Sequence, residues 1–338
     1  MTEKNILQVT NLKKYFPVQQ GVFKKIVGYI KAIDGIDFTM EEGETVGLVG
    51  ESGCGKTTTG RSIIRLHPVT DGQIIFRIDG QMRNVHQLFK PEVKKFRQEM
   101  QMIFQNPFSS LDPRMSIRNI LLEPLITHKI GNRQEQLAAV EELIVKVRLR
   151  TSHLDRYPHE LSGGQRQRVG IARSLALKPK FIICDEPVSA LDVSVQAQVL
   201  NLLSSLQQKL KLTYLLITHD LSVVEYMSDR IMVMYSGKIV EVAKSDALYQ
   251  QPKHPYTEAL LAAVPRHKYN PSVKRVVLEG NMPDAFNLPR GCNFYSRCRY
   301  AQDICQQTEP VLTTISDKRN HSVACHLADE LNLQGYVD

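Results

Sequence analysis

No apolar run in these 338 residues approaches the roughly 18–20 needed to cross a bilayer as a helix. The first residues, MTEKNILQVTNLKK, lack the charged-then-apolar layout of a signal peptide. The expectation is a soluble, cytoplasmic chain whose membrane role, if it has one, depends on a partner. Six cysteines in such a compartment do not make a disulfide framework. Tight basic–aromatic clusters are also missing: the net charge is 43 − 35 = +8, but the basic residues are spread along helical stretches as on a solvated face. That charge suits a nucleotide, a polyanion or an anionic membrane surface without choosing among them. Hydrophobic content of 42% and charged content of 23% are ordinary for a globular protein.

What is present reads as an α/β chain. The apolar runs in ETVGLVG (44–50), FIICDEP (181–187) and TYLLITHD (213–220) are continuous rather than alternating, the pattern of buried parallel strands. Helical patterns lie at 133–148, 164–177 and 193–210, and residues 108–178 hold no strong strand, as in a helical insert. After about residue 265 the texture shifts to short segments with prolines at 265, 271, 283, 289 and 310, marking a second domain or extension.

The first apolar run leads into GESGCGKT (50–57), which fits G-x-x-x-x-G-K-[ST] in its strand–loop–helix context. Glycines there let consecutive N–H groups of residues such as Gly50, Gly53 and Gly55 point into one concavity at a helix N-terminus. Lys56 is placed for the β- and γ-phosphates and Thr57 for Mg²⁺. FIICDEP ends in Asp185 and Glu186, which suit a water-bridged Mg²⁺ and the activation of an attacking water. His219 follows the third run, where parallel strands deliver their C-terminal ends to one crevice. Gln105, after MQMIF, is an amide able to contact Mg²⁺ or that water.

HELSGGQRQRV (159–169) is a second glycine-rich turn, although a double glycine costs roughly 0.5–1 kcal/mol per residue against alanine in a helix. A release-factor Gly-Gly-Gln reading fails, because those proteins need no phosphate loop. The remaining reading is a second anion site, with Ser162, Gly163 and Gly164 opening a helix towards phosphate held by another chain.

The order and spacing of GESGCGKT, Gln105, LSGGQ (161–165), CDEP (184–187), SALD (189–192) and His219 resemble an ABC-type ATPase domain over about residues 6–265. The resemblance implies a P-loop NTPase with a parallel-sheet core, an N-terminal antiparallel β part and a helical subdomain at about 108–178. It implies that residues 50–58 (Gly50, Glu51, Ser52, Gly53, Cys54, Gly55, Lys56, Thr57, Thr58) bind ATP. Thr57, Gln105 and Asp185 serve Mg²⁺, Glu186 is the general base and His219 holds the γ-phosphate. Ser162, Gly163, Gly164 and Gln165 then contact the ATP of a head-to-tail partner, and Asp192 lies at the dimer interface. Adenine stacks on an aromatic upstream: Tyr15 is favoured, with Phe16 and Tyr29 as alternatives, and a core role for Tyr15 competes.

HPYTEALLAAVPR (254–266) with the clustered cysteines, PVSALDVSVQAQVLNLL and RYPHELSGGQRQR are similar to oligopeptide and dipeptide permease ATPase subunits, most closely the second of the two. This implies a domain at 1–265 and a Cys-rich extension at 266–338. It also implies a heterodimer with a sister ATPase at the cytoplasmic face of the membrane, beneath two membrane-spanning subunits fed by an external binding protein. Cys292, Cys298, Cys305 and Cys325 (C-x5-C-x6-C-x19-C) suggest a metal centre of soft thiolates. The tight C-x2–4-C pair usual for zinc is absent, and related subunits carry a [4Fe–4S] cluster at this place; zinc and free thiols remain alternatives. Cys54 and Cys184 read as small buried hydrophobes. A soluble ABC ATPase acting on nucleic acid or ribosomes, an importer of nickel or sugar, and a non-catalytic nucleotide sensor are the competing functions. The soluble relatives usually carry two motif sets in one chain, and Glu186 argues against the sensor.

Overall fold

Continuous apolar sequence becomes buried strand where both faces of a sheet are covered. The runs at 181–187 and 213–220 form Phe181–Asp185 and Thr213–Ile217, every residue of which is buried. The structure, a computed structural model of the chain, describes residues 4–21, 23–106, 110–264, 278, 280–315 and 321–336. Pro107 of FQNP, the start of the helical insert at 108 and the boundary at 265/266 lie outside the described residues. Two interleaved units divide the chain, one of residues 1–7, 40–44 and 75–217, the other of residues 8–39, 45–74 and 218–338.

In the first unit Met100–Ile103, Phe181–Asp185 and Thr213–Ile217 pair in parallel, with Met100 opposite Phe181 and Phe181 opposite Thr213. A hairpin aligns Ile75 with Asn84 around Asp79–Gly80, both at positive φ as a two-residue turn of this twist requires. Phe76 meets Phe96 and Phe181 edge-on at 5.8 and 5.9 Å, which fastens hairpin and helix to strand. Helices Ile117–His128, Arg133–Lys146, Gly163–Leu175 and Val193–Leu210 start at Ser116, Asn132, Ser162 and Asp192. Each of those side chains accepts a hydrogen bond from the first turn, satisfying an otherwise orphan N–H.

In the second unit Thr45–Val49 runs parallel to Arg230–Tyr235, with Val46 opposite Arg230. Lys238–Lys244 returns antiparallel through Ser236–Gly237, both at positive φ. The sheet therefore carries an antiparallel edge on its parallel strands. The tail extends that edge: Ser322–Val323 pairs with Lys238–Lys244, and Thr313–Thr314 pairs with Ser322–Val323. Among the described residues no helix is long and apolar enough to cross a membrane.

Candidate functional site

The phosphate loop joins the buried strand Thr45–Val49 to the helix Lys56–Ile63, whose N-cap is Gly55 at φ 113°. A Cβ at Gly50, where φ is 151°, would lie 2.1 Å from the Met234 carbonyl oxygen; one at Gly55 would lie 2.2 Å from that of Ala32. Only glycine fits either place. Lys56 is buried, and its Nζ donates to the carbonyls of Gly50 at 2.7 Å and Glu51 at 2.8 Å. The lysine is thus folded back over its own loop. Cys54 is buried beside it, and burial pushes its thiol up. Thr57 and Thr58 follow in the first turn of the helix.

Two features of Glu51 escaped the sequence reading. Its carboxylate makes a two-point ion pair with Arg297, Nη1 to Oε2 at 2.6 Å and Nη2 to Oε1 at 3.1 Å. Its N–H donates to the Tyr256 hydroxyl at 2.8 Å. The available signal was an acidic residue inside a phosphate-binding loop, which calls for a compensating cation.

His219, in this unit, is exposed just beyond Thr213–Ile217. Tyr15 is half-buried; its hydroxyl donates to Asp34 and its N–H to the Thr70 hydroxyl, while Lys31 lies 5.6 Å above the ring. Burial and the Asp34 carboxylate raise its phenol above the usual tyrosine range. Phe16 sits under Lys14 and edge-on to His67, and Tyr29 is exposed.

In the first unit, Asp185 ends its strand fully buried. Glu186 follows at φ 45°, a left-handed conformation that costs a non-glycine residue roughly 1–3 kcal/mol and that clusters at active sites. Its N–H donates to the Ile217 carbonyl at 2.8 Å, and its Oε2 accepts from Gln105 Nε2 at 2.7 Å. The structure thus brings Gln105 directly onto Glu186, a contact the sequence could not specify across 81 positions.

The signature stretch opens the helix Gly163–Leu175 with a reciprocal cap: Gln165 N–H donates to Ser162 Oγ at 3.3 Å, and Ser162 N–H to Gln165 Oε1 at 3.0 Å. The second glycine of the pair serves packing. A Cβ at Gly164 would lie 2.3 Å from Val195 Cγ1 on the neighbouring helix. Gly164→Ala is therefore expected to destabilise by about 1–3 kcal/mol through overpacking, measured by denaturant unfolding, with Val195→Ala restoring most of the loss. Asp192 caps that neighbour, accepting from Val195 N–H at 2.9 Å and Ser194 Oγ at 2.8 Å, and the Val195 bond holds its carboxyl below the usual range.

Basic residues expected to be scattered are in part gathered here. Arg148, Arg150, Arg156 and Arg168 line a cavity of about 490 Å³ together with Ser162, Gly164 and Gln165. Burial and the charge of Arg148 lower the Arg168 pKa. The doublets RLR and RQR were the sequence signal; only folding makes them converge.

Cys292, Cys298, Cys305 and Cys325 line one small pocket with His254, Phe294 and His326. Burial pushes Cys292 up to about 11 and Cys325 up to about 12, and raises Cys298. Among the described residues no three His, Cys, Asp or Glu side chains form a group that could hold a metal ion. These residues therefore give no support to either metal reading of the four cysteines, the [4Fe–4S] cluster or its zinc alternative.

The family described as ABC transporter matches residues 33–189, and the Oligopeptide/dipeptide transporter, C-terminal region, matches residues 240–305. The chain is 50% identical over 328 residues to the oligopeptide transport ATP-binding protein AppF of Bacillus subtilis, covering 96% of this chain and 98% of that protein. It is 45% identical over 329 residues to the dipeptide transport ATP-binding protein DppF of Escherichia coli, covering 97% and 96%. The ATP-binding cassette MJ0796, solved as a dimer in a post-hydrolysis state with ADP and Pi, superposes with a TM-score of 0.62 at 28% identity, covering 71% of this chain and 99% of that one. The fold is that of an ABC ATPase, and the chain belongs to those ATP-binding subunits of the ABC transporter family that carry the oligopeptide/dipeptide transporter C-terminal region.

Proposed function

We propose that the chain is the ATP-hydrolysing subunit of a membrane importer for di- and oligopeptides. The observation that carries this reading is the joining, in one unit, of a glycine-shaped phosphate cradle with a tail over which proteins named for oligopeptide and dipeptide transport align. In this reading residues 1–265 form the ATPase domain and 266–338 the extension.

Residues 50–58 hold the ATP phosphates, Lys56 exchanging the carbonyls of Gly50 and Glu51 for phosphate oxygens. Thr57, Gln105 and Asp185 offer the hydroxyl, amide and carboxylate oxygens that suit Mg²⁺. Mg²⁺ held by such oxygens would neutralise charge developing on the phosphates. Glu186 takes the proton of the attacking water, with Gln105 fixing its carboxylate. His219 donates to the γ-phosphate, and Tyr15 faces the adenine. Ser162, Gly163, Gly164 and Gln165 receive the ATP held by a sister subunit, the four arginines beside them supplying charge complementary to a nucleotide, and Asp192 lies at the same interface. The sister ATPase and two membrane-spanning subunits complete the assembly at the cytoplasmic face, and an external binding protein supplies the peptide.

The four cysteines that line one pocket offer the soft thiolates that a [4Fe–4S] cluster would take if it drew them in around itself. Such a cluster would cross-link a tail too short to build its own core.

The test is anaerobic affinity purification of the membrane complex. The expected result is co-purification of this chain with a second ATPase and two membrane proteins, peptide uptake dependent on ATP, and iron with acid-labile sulfide in the preparation. Recovery of the chain with ribosomes or nucleic acid, and without membrane proteins, would overturn the transport reading.

A further inference from the structure

Glu51 is held at its carboxylate, its N–H and its carbonyl by three different residues. Its carboxylate pairs with Arg297, its N–H donates to Tyr256, and its carbonyl accepts from Lys56. Two of those partners lie more than 200 positions away in sequence, one of them, Arg297, in the tail, and the third is the lysine of the phosphate loop itself. Arg297 is nearly excluded from solvent, its side chain 4% exposed, whereas the Glu51 carboxylate is 31% exposed.

The arginine is placed before any ligand arrives. Its Nη1 donates to the Tyr235 hydroxyl at 3.4 Å, and its guanidinium lies 5.9 Å from the Tyr235 ring centroid. Tyr235, Tyr256 and Phe294 pack against one another with centroids 4.6–5.5 Å apart, a rigid floor for that side chain. Arg297 ends the turn Tyr295–Arg297, which begins with Tyr295 N–H on the Cys292 carbonyl and closes with Cys298 N–H on the Tyr295 carbonyl. Two cysteines of the pocket therefore bracket the residue that grips the loop.

An acidic side chain in a loop built for phosphates opposes its ligand, because like charges close together repel. Lys56 must also leave the Glu51 carbonyl to reach the phosphates, removing one restraint when ATP enters. We propose that Arg297 is a positioning residue for nucleotide binding: it neutralises Glu51 and, with Tyr256, keeps the phosphate loop in shape when Lys56 moves to the ligand. A planar two-point fork is what a carboxylate needs for this, so lysine is an incomplete substitute.

This inference rests on ATP being the ligand of residues 50–57, and the experiment separates the two. MgATP binding is measured on the full-length chain, and KM and kcat on the assembled complex. Arg297→Met is expected to raise the Kd and KM for MgATP about tenfold, the orphaned Glu51 charge being partly screened by solvent, while kcat changes far less. Adding Glu51→Gln should restore both to within about threefold, because neutralising the orphaned carboxylate removes its repulsion. Restoration is the decisive readout, since a purely structural role for Arg297 is not repaired by a second truncated contact. An unchanged KM in Arg297→Met, or a double variant as weak as the single, overturns the proposal while leaving ATP binding intact. Unaltered MgATP binding in Lys56→Ala overturns the ATP reading and the proposal together. Should Arg297→Met fail to fold, Arg297→Lys is expected to raise KM about threefold and to recover with Glu51→Gln; no rise there also overturns the proposal.

Discussion

Glu186→Gln is expected to stop ATP turnover while leaving MgATP bound. Gln is nearly isosteric with Glu, and its side-chain carbonyl still accepts from Gln105 Nε2, the bond now 2.7 Å long. The backbone at φ 45° and the N–H bond to Ile217 are untouched by the change. What is lost is the carboxylate that the proposed mechanism uses to take a proton, and removing a positioned general base lowers rates by about 10²–10⁴. Phosphate release by the assembled complex should fall by that factor. Size-exclusion chromatography with MgATP should then show an ATP-locked dimer in which the nucleotide is recovered unhydrolysed. Turnover within a few fold of the unmodified protein would remove Glu186 as the base.

The second large effect is expected on a neighbouring subunit. Aspartate caps helices as well as serine does, so Ser162→Asp keeps the first turn of Gly163–Leu175 while placing a negative charge on the signature face. If that face meets the γ-phosphate of a partner's ATP, the closed dimer is opposed by like charge at a desolvated contact. At least a tenfold loss is expected in occlusion of ATP on the sister subunit's phosphate loop, with binding to this chain's own loop retained; like-charge contacts across an interface cost several kcal/mol. Photoreactive ATP, scored separately on each subunit of the mixed complex, gives the measurement. Loss confined to this chain's own loop would refute the head-to-tail arrangement.

Features made from contiguous residues were legible in the sequence. The strand Thr45–Val49, the glycine loop and the helix Lys56–Ile63 follow one another without a gap, so apolar run, glycine spacing and lysine specify the cradle locally. The cap of Gly163–Leu175 is likewise local, since Ser162 and Gln165 stand three residues apart. The hairpin of Arg230–Tyr235 and Lys238–Lys244 was missed, although Ser236–Gly237 between two apolar runs is a turn signal.

Composition and motif order determined the family and the mostly parallel α/β core, because those depend on burial pattern and on the order and spacing of local motifs. Tertiary structure alone decided which distant residues complete them. It sets Gln105 on Glu186, Val195 against Gly164, four arginines around one cavity and four cysteines around one pocket. It also turns the tail back along the sheet edge, so that Arg297 reaches Glu51. Long-range pairings of this kind arise where packing of whole elements fixes the backbone, and a one-dimensional pattern carries no record of which turn will face which loop.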